Sequence, residues 1–238
     1  MKSTEAAGRR GLWLIRHGQC GSRAGLVTGH PCQAALASVP DRMVLSAYCR
    51  AMDTARPAMK RFPHVPVGAE AVQEFTYLSP GSYQGTTREM RRPLITDYWT
   101  RCDPLYRQGE GAETFAELVL RVEDFFGRHI DGPNVPPGLT LLYSHGQFIR
   151  AVLLRFFGGI GASFADDPRA MARFRGFRES FAVPNASILR MTTGPDRRVG
   201  ACDVSHLPPE LVSLLAVGQP IFFTDAARPC VELRPTVA

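Results

Sequence analysis

The chain has 238 residues, 45% of them hydrophobic, with a formal charge of +6 at pH 7; this suits one sizeable α/β domain that folds on its own core. Only Lys2 and Lys60 are lysines among 28 basic residues, and the arginines are scattered rather than clustered with aromatics, which argues against a nucleic-acid surface. The six cysteines form no CxxC pair, which excludes a dense disulfide framework and a zinc site of that kind, and neither a signal-peptide core nor a run of membrane-spanning length is present. The expectation is therefore a reduced, cytoplasmic protein with no membrane partner.

Three short apolar runs read as buried strands, each followed at once by polar residues and then by a helical pattern. The first is Gly11 to Ile15, before Arg16-His17-Gly18. The second is Met43 to Ala47, before Arg50 and the helical stretch 49–62, in which Pro57 marks a possible kink. The third is Leu139 to Ser144, before His145-Gly146 and a helix over 147–157 that stops at the glycines 158, 159 and 161. Strands alternating with helices imply a mostly parallel sheet covered on both faces, a three-layer αβα sandwich. Ligands of such sheets bind beyond the carboxyl ends of the strands, where all three polar clusters lie.

Between the second and third units runs a long insertion, about 74–130. Its opening, Glu74 to Thr87, is rich in Ser, Pro and Gly and reads as loop. Two helices follow, at 86–102 and 113–130, and an insertion of this size at a sheet edge is expected to cap a site. After Pro184, residues 186–193 and 197–204 are split by Gly194-Pro195-Asp196 and read as a hairpin. The tail from about 206 to 238 is proline-rich and loop-like, with one short helix near 210–216. The whole reads as a single domain, 1–238.

Two histidines, two arginines and a carboxylate brought to one edge meet the needs of phosphoryl transfer through histidine. Guanidinium forks match the oxygens of a phosphate dianion. A neutral imidazole attacks phosphorus when its other nitrogen is held as a donor, and nearby arginines keep it neutral by lowering its pKa. A carboxylic acid then protonates the leaving alkoxide and afterwards takes a proton from water.

The segments "LIRHGQ", "SAYCRAMDTA", the Glu74 region and "YSHGQFIRAV", in this order, resemble the histidine phosphatase superfamily, the phosphoglycerate mutase-like fold, in its bacterial broad-specificity phosphatase branch. The resemblance runs from about Leu12 to about Leu207. It implies that His17 is the phosphorylated nucleophile, that Arg16, Arg50 and His145 complete the phosphate pocket, and that Glu74 is the proton donor. It implies a phosphomonoester hydrolase acting on a small phosphorylated metabolite through a phosphohistidine, with no metal and no cofactor. The alternatives are a phosphoglycerate-type mutase and a non-catalytic phosphate or phosphoprotein binder on the same scaffold. Gln19-Cys20 replaces the family's usual Glu-Thr after the triplet.

Other carboxylates have structural readings: Thr86 with Glu89 and Thr114 with Glu117 match capping boxes, and Glu113 is placed as a first-turn acid. Arg88, Arg91, Arg92 and Arg101 read as a solvated helix face, with a distal anionic part of the substrate as the alternative. Tyr98, Trp99 and Phe115 read as core. Arg50 is different, because a cation in the first turn of a helix is electrostatically unfavourable unless an anion sits beside it.

Overall fold

The computed structural model describes residues 10–18, 38–193 and 197–207. Strands β1 (Arg10–Arg16), β2 (Arg42–Ser46), β3 (Val67–Glu70) and β4 (Gly138–Ser144) run parallel, and β5 (Ile188–Thr193) and β6 (Arg198–Asp203) add antiparallel strands beyond β1. The six form one mixed sheet in the order β3-β2-β4-β1-β5-β6. Among the described residues five α-helices accompany it: α1 (Cys49–Arg61), α2 (Arg88–Arg101), α3 (Phe115–His129), α4 (Gly146–Phe156) and α5 (Pro168–Ser180).

Alternation along the strands sorts the core into two layers. Leu12, Leu14, Val44 and Leu142 bury on one face, in a cluster with Phe125, Phe148 and Phe174 from α3, α4 and α5. Ile15, Met43, Leu45, Leu141 and Tyr143 bury on the other, against the small Ala51, Ala55 and Ala58 of α1. Each fully buried Leu or Phe contributes roughly 1.5–3 kcal/mol. Because both faces are buried, a one-residue slip would exchange two well-packed sets of side chains, so the register is strongly specified.

That register sets the site. Arg16 lies opposite Ser144 and Leu45 opposite Tyr143, so β1, β4 and β2 end at one edge, with β4 in the middle. The His17 N–H extends the ladder by one more bond, 2.9 Å to the Ser144 carbonyl.

The insertion divides. Its part up to Gly111 contributes to the cavity beyond the strand ends. Helix α3 belongs to the covering layer, where Phe125 meets Phe148 of α4 edge-on at 5.8 Å between ring centroids. The amphipathic spacing of Phe115, Leu118, Val119, Val122 and Phe126, all buried, accounts for this placement.

Several expectations need correction. Strand β3 and helix α5 were not anticipated: β3 is short, largely exposed and contains Gly68, so it carries no alternating apolar signal. Helix α5 is arginine-rich, although Asp167 as N-cap, accepting from the Arg169 amide at 2.8 Å, with Pro168 in the first turn is a legible start signal. The cap of α2 is Thr87, which accepts from the Met90 amide, not Thr86; Thr86 bonds back to the Ser82 carbonyl. Thr114 and Glu117 do form the reciprocal box. Glu113 precedes that cap and pairs with Arg121 instead of serving the first turn. Cys102 and Cys202 are free thiols, as a reduced setting leads one to expect, whereas Cys49 is disulfide-bonded. Gln19-Cys20 and the 210–216 helix lie outside the described residues. Among the described residues, no helix is long and apolar enough to cross a membrane.

Candidate active site

His17 follows directly on β1 and is 3% exposed. Its Nδ1 lies 2.5 Å from its neighbour Gly18's carbonyl oxygen, which fixes that nitrogen as the protonated donor and leaves Nε2 with its lone pair. The Gly18 amide donates in turn to Thr54 Oγ1 at 2.9 Å, and the same hydroxyl donates to the Arg50 carbonyl at 2.7 Å. One threonine of α1 thus ties the backbone beside the first histidine to the backbone of the arginine.

Arg50, in the first turn of α1, directs Nε between the two imidazoles, 3.2 Å from His17 Nε2 and 3.2 Å from His145 Nδ1. His145 is fully buried at the N-terminus of α4, and its Nε2 lies 2.8 Å from Ser46 Oγ. Burial above all, then the charges of Arg50 and Arg16, hold the His17 imidazole well below the ordinary value of 6.5, against the opposing pull of the Gly18 carbonyl. Burial and then Arg50 lower His145 likewise, with smaller contributions from His17 and Arg16. Both rings are neutral at pH 7.

Arg16 Nη1 donates to the Val183 carbonyl. A side chain on Gly146 would come within 3.3 Å of the Arg16 guanidinium and 3.1 Å of Arg150, so the glycine after His145 leaves room for a crowded pair of cations. Burial and then the charge of Arg16 lower Arg150 to about 10.

Glu74 approaches from the insertion. Its Oε1 accepts from the Gln147 amide at 2.9 Å and the Phe75 amide at 3.2 Å. It therefore satisfies one of the amides left open at the start of α4, whose N-cap His145 provides no side-chain cap. Among the described residues, Oε2 receives no hydrogen bond. The segment carrying Glu74 is strapped in place: Ser144 Oγ donates to the Val72 carbonyl at 2.5 Å, and Arg121 donates to the Ala71 and Gln73 carbonyls at 2.9 Å each. Arg121 also holds Glu113 through two bonds of 2.8 Å.

All five residues singled out in the sequence come together. Arg16, His17, Arg50 and Glu74 line one cavity of about 290 Å³, with His145 behind Arg50 and Tyr48. A more open hollow of about 550 Å³ on the outer side of α2 is lined by Glu89, Arg92 and Asp97 among others, and by no histidine. Ser46, Thr54, Ser144 and Arg121 escaped the sequence reading. Ser46 and Thr54 stand inside the quoted motif; the pairing of β2 with β4 brings Ser46 to His145, and the packing of α1 beside the end of β1 brings Thr54 to the Gly18 amide.

A family model described as the histidine phosphatase superfamily (branch 1) matches residues 12–199. Among solved structures, a mycobacterial glucosyl-3-phosphoglycerate phosphatase is 19% identical with a TM-score of 0.56, the match covering 81% of this chain and 98% of that one. A phosphoserine phosphatase mutant from Entamoeba histolytica, in complex with phosphoserine, is 15% identical with a TM-score of 0.56, covering 84% and 100%. A protein described as mycobacterial hydrolase 1 is 20% identical with a TM-score of 0.56, covering 82% and 97%. No curated protein matches the chain significantly. The structural likenesses speak for the fold.

Proposed function

The chain belongs to the histidine phosphatase superfamily, and from that premise we propose that it is a metal-independent hydrolase of small phosphomonoesters, working through a phosphohistidine at His17. The observation that carries the reading is the Arg50 N–H set between His17 Nε2 and His145 Nδ1, with Glu74 on the same cavity. A phosphate dianion offers Arg50 a stronger acceptor than either neutral ring. When Arg50 turns to the phosphate, the Nε2 lone pair of His17 is released toward phosphorus.

In the first step Nε2 forms a bond to phosphorus as the ester P–O bond breaks, and the leaving alkoxide takes its proton from the Glu74 carboxyl group. In the second, water attacks the phosphohistidine, Glu74 takes the water's proton, the P–N bond breaks and inorganic phosphate departs. Arg16 and Arg50 hold the phosphoryl oxygens while charge builds on them. His145 can serve in either neutral tautomer, because the Ser46 hydroxyl accepts from Nε2–H or donates to bare Nε2. With phosphate bound, the second arrangement frees an Nδ1–H for a phosphoryl oxygen.

Incubation with a panel of phosphorylated metabolites in the presence of a chelator tests the reading. Release of inorganic phosphate, undiminished by the chelator, is the expected result. Phosphate binding without hydrolysis across the panel would instead mark a binding protein, and isomerisation of monophosphoglycerate with a bisphosphate primer would mark a mutase.

A further inference from the structure

Phosphate chemistry accounts for the floor of the cavity and leaves its walls unexplained. Above the histidines the walls are Tyr48, Phe75, Tyr77 and Tyr83, with Pro80 and Ile95. Tyr48 stands edge-on to His145, with ring centroids 5.2 Å apart and planes at 75°, and its centroid lies 4.7 Å from the Arg50 guanidinium. Whatever group follows the phosphorus therefore meets an aromatic ring at once. Such rings favour a flat partner through offset or edge contacts.

Arg88 and Arg91, from the first turn of α2, also face this cavity, and they differ. Arg91 is 5% exposed; its Nη1 donates to the Thr86 carbonyl at 2.6 Å and the Thr86 hydroxyl at 2.8 Å, and its guanidinium lies 4.7 Å from the Tyr83 centroid. It builds the wall. Arg88 is exposed, and among the described residues its guanidinium has neither an ion pair nor a hydrogen bond. The adjacent Glu89 carboxylate is held below its ordinary range first by its own backbone amide and by Thr87, and only weakly by the charge of Arg88. A cation at the start of a helix is repelled by the helix dipole. An arriving anion would relieve that repulsion, as at Arg50.

Resting on the phosphatase reading, we propose that the substrate is a small phosphomonoester whose alcohol carries an aromatic ring next to the ester and a carboxylate at the far end, the ring lying between the tyrosines and the carboxylate meeting Arg88. The volume of about 290 Å³ lies just below the roughly 300–1,000 Å³ typical of small-molecule sites. It holds a phosphate and one ring.

Non-hydrolysable phosphonates separate this inference from the reaction. By titration calorimetry on the whole protein, benzylphosphonate is expected to bind more tightly than propylphosphonate. Adding a 4-carboxylate to the benzyl compound is expected to tighten binding about fivefold, the scale of one partly exposed charge pair. Arg88→Ala should abolish the carboxylate gain while retaining benzylphosphonate affinity. Arg92→Ala, on the outer side of α2, should preserve the gain. The proposal is overturned if the carboxylate brings no gain, if the gain survives in Arg88→Ala, or if the aryl compound binds no better than the propyl one. Tight, Arg88-dependent binding without hydrolysis of any ester would uphold the ligand class and remove the catalytic reading. Hydrolysis without discrimination would do the reverse, and failure to bind any of the phosphonates would remove both.

Discussion

The imidazoles of His17 and His145 stand with ring centroids 4.9 Å apart, and one N–H of Arg50 reaches a nitrogen of each at 3.2 Å. Sharing one hydrogen between two acceptors gives neither a full bond, and in the proposed mechanism an incoming dianion displaces this arrangement.

Arg50→Ala should lower kcat/KM by about 10²–10³, the scale for losing one preorganised donor to a developing oxyanion. The Arg50 charge also lowers the pKa of His17. Its removal should therefore shift the acid limb of the kcat/KM profile to higher pH. A pH profile of the variant checks both effects, and an unmoved acid limb would detach the arginine from the nucleophile.

The same depressed histidines give a sign to the pH dependence of stability. In the unfolded chain they titrate near 6.5, while in the folded protein His17 and His145 titrate well below that, and burial lowers His206 in the same sense. As pH falls through about 6.5 the unfolded chain binds protons that the folded protein does not, so stability is lost on acidification until the folded values are reached. Melting temperatures measured from about pH 7.5 down to about pH 5 should decline, and the decline should be shallower in a His17→Gln, His145→Gln double variant.

Thr54 joins the Gly18 amide to the Arg50 carbonyl through one hydroxyl. Thr54→Val keeps the shape and strands a buried N–H, which costs about 1–3 kcal/mol. The resulting shift of His17 against Arg50 should lower kcat about tenfold, since small misplacements near a reacting centre are amplified. Thr54→Ser, which keeps the oxygen, should restore most of both. Denaturant unfolding and steady-state rates provide the comparison.

Glu74→Gln preserves both amide contacts in shape but holds no transferable proton. Turnover of alkyl phosphates, whose alkoxides leave poorly, should fall much more than turnover of nitrophenyl phosphate. Equal slowing of the two would assign the proton to another group.

The strands were readable because their burial on both faces makes continuous apolar runs, and the residues just past them make up the candidate site. His17 and His145 were legible as two His-Gly steps after two such runs; Arg50 was legible because a first-turn cation calls for an anion. Glu74 was legible only by resemblance, since its place depends on Ser144 gripping the Val72 carbonyl and Arg121 the carbonyls on either side of it, contacts between segments about 72 and 50 residues apart. Strand β3 escaped because an exposed edge of four residues imposes no apolar pattern. The division of the insertion into a cap and a core helix rests on which face α3 buries, and that becomes visible only with the sheet in place.

The central claim is that phosphate passes through His17, and trapping the intermediate tests it directly. Mixing the protein with a phosphomonoester labelled at phosphorus and quenching within one turnover should yield a labelled protein that is stable in base and labile in acid. The label should map to His17 and be absent from His17→Ala. A His17→Ala protein that keeps wild-type turnover, or a label that survives acid, would contradict the account.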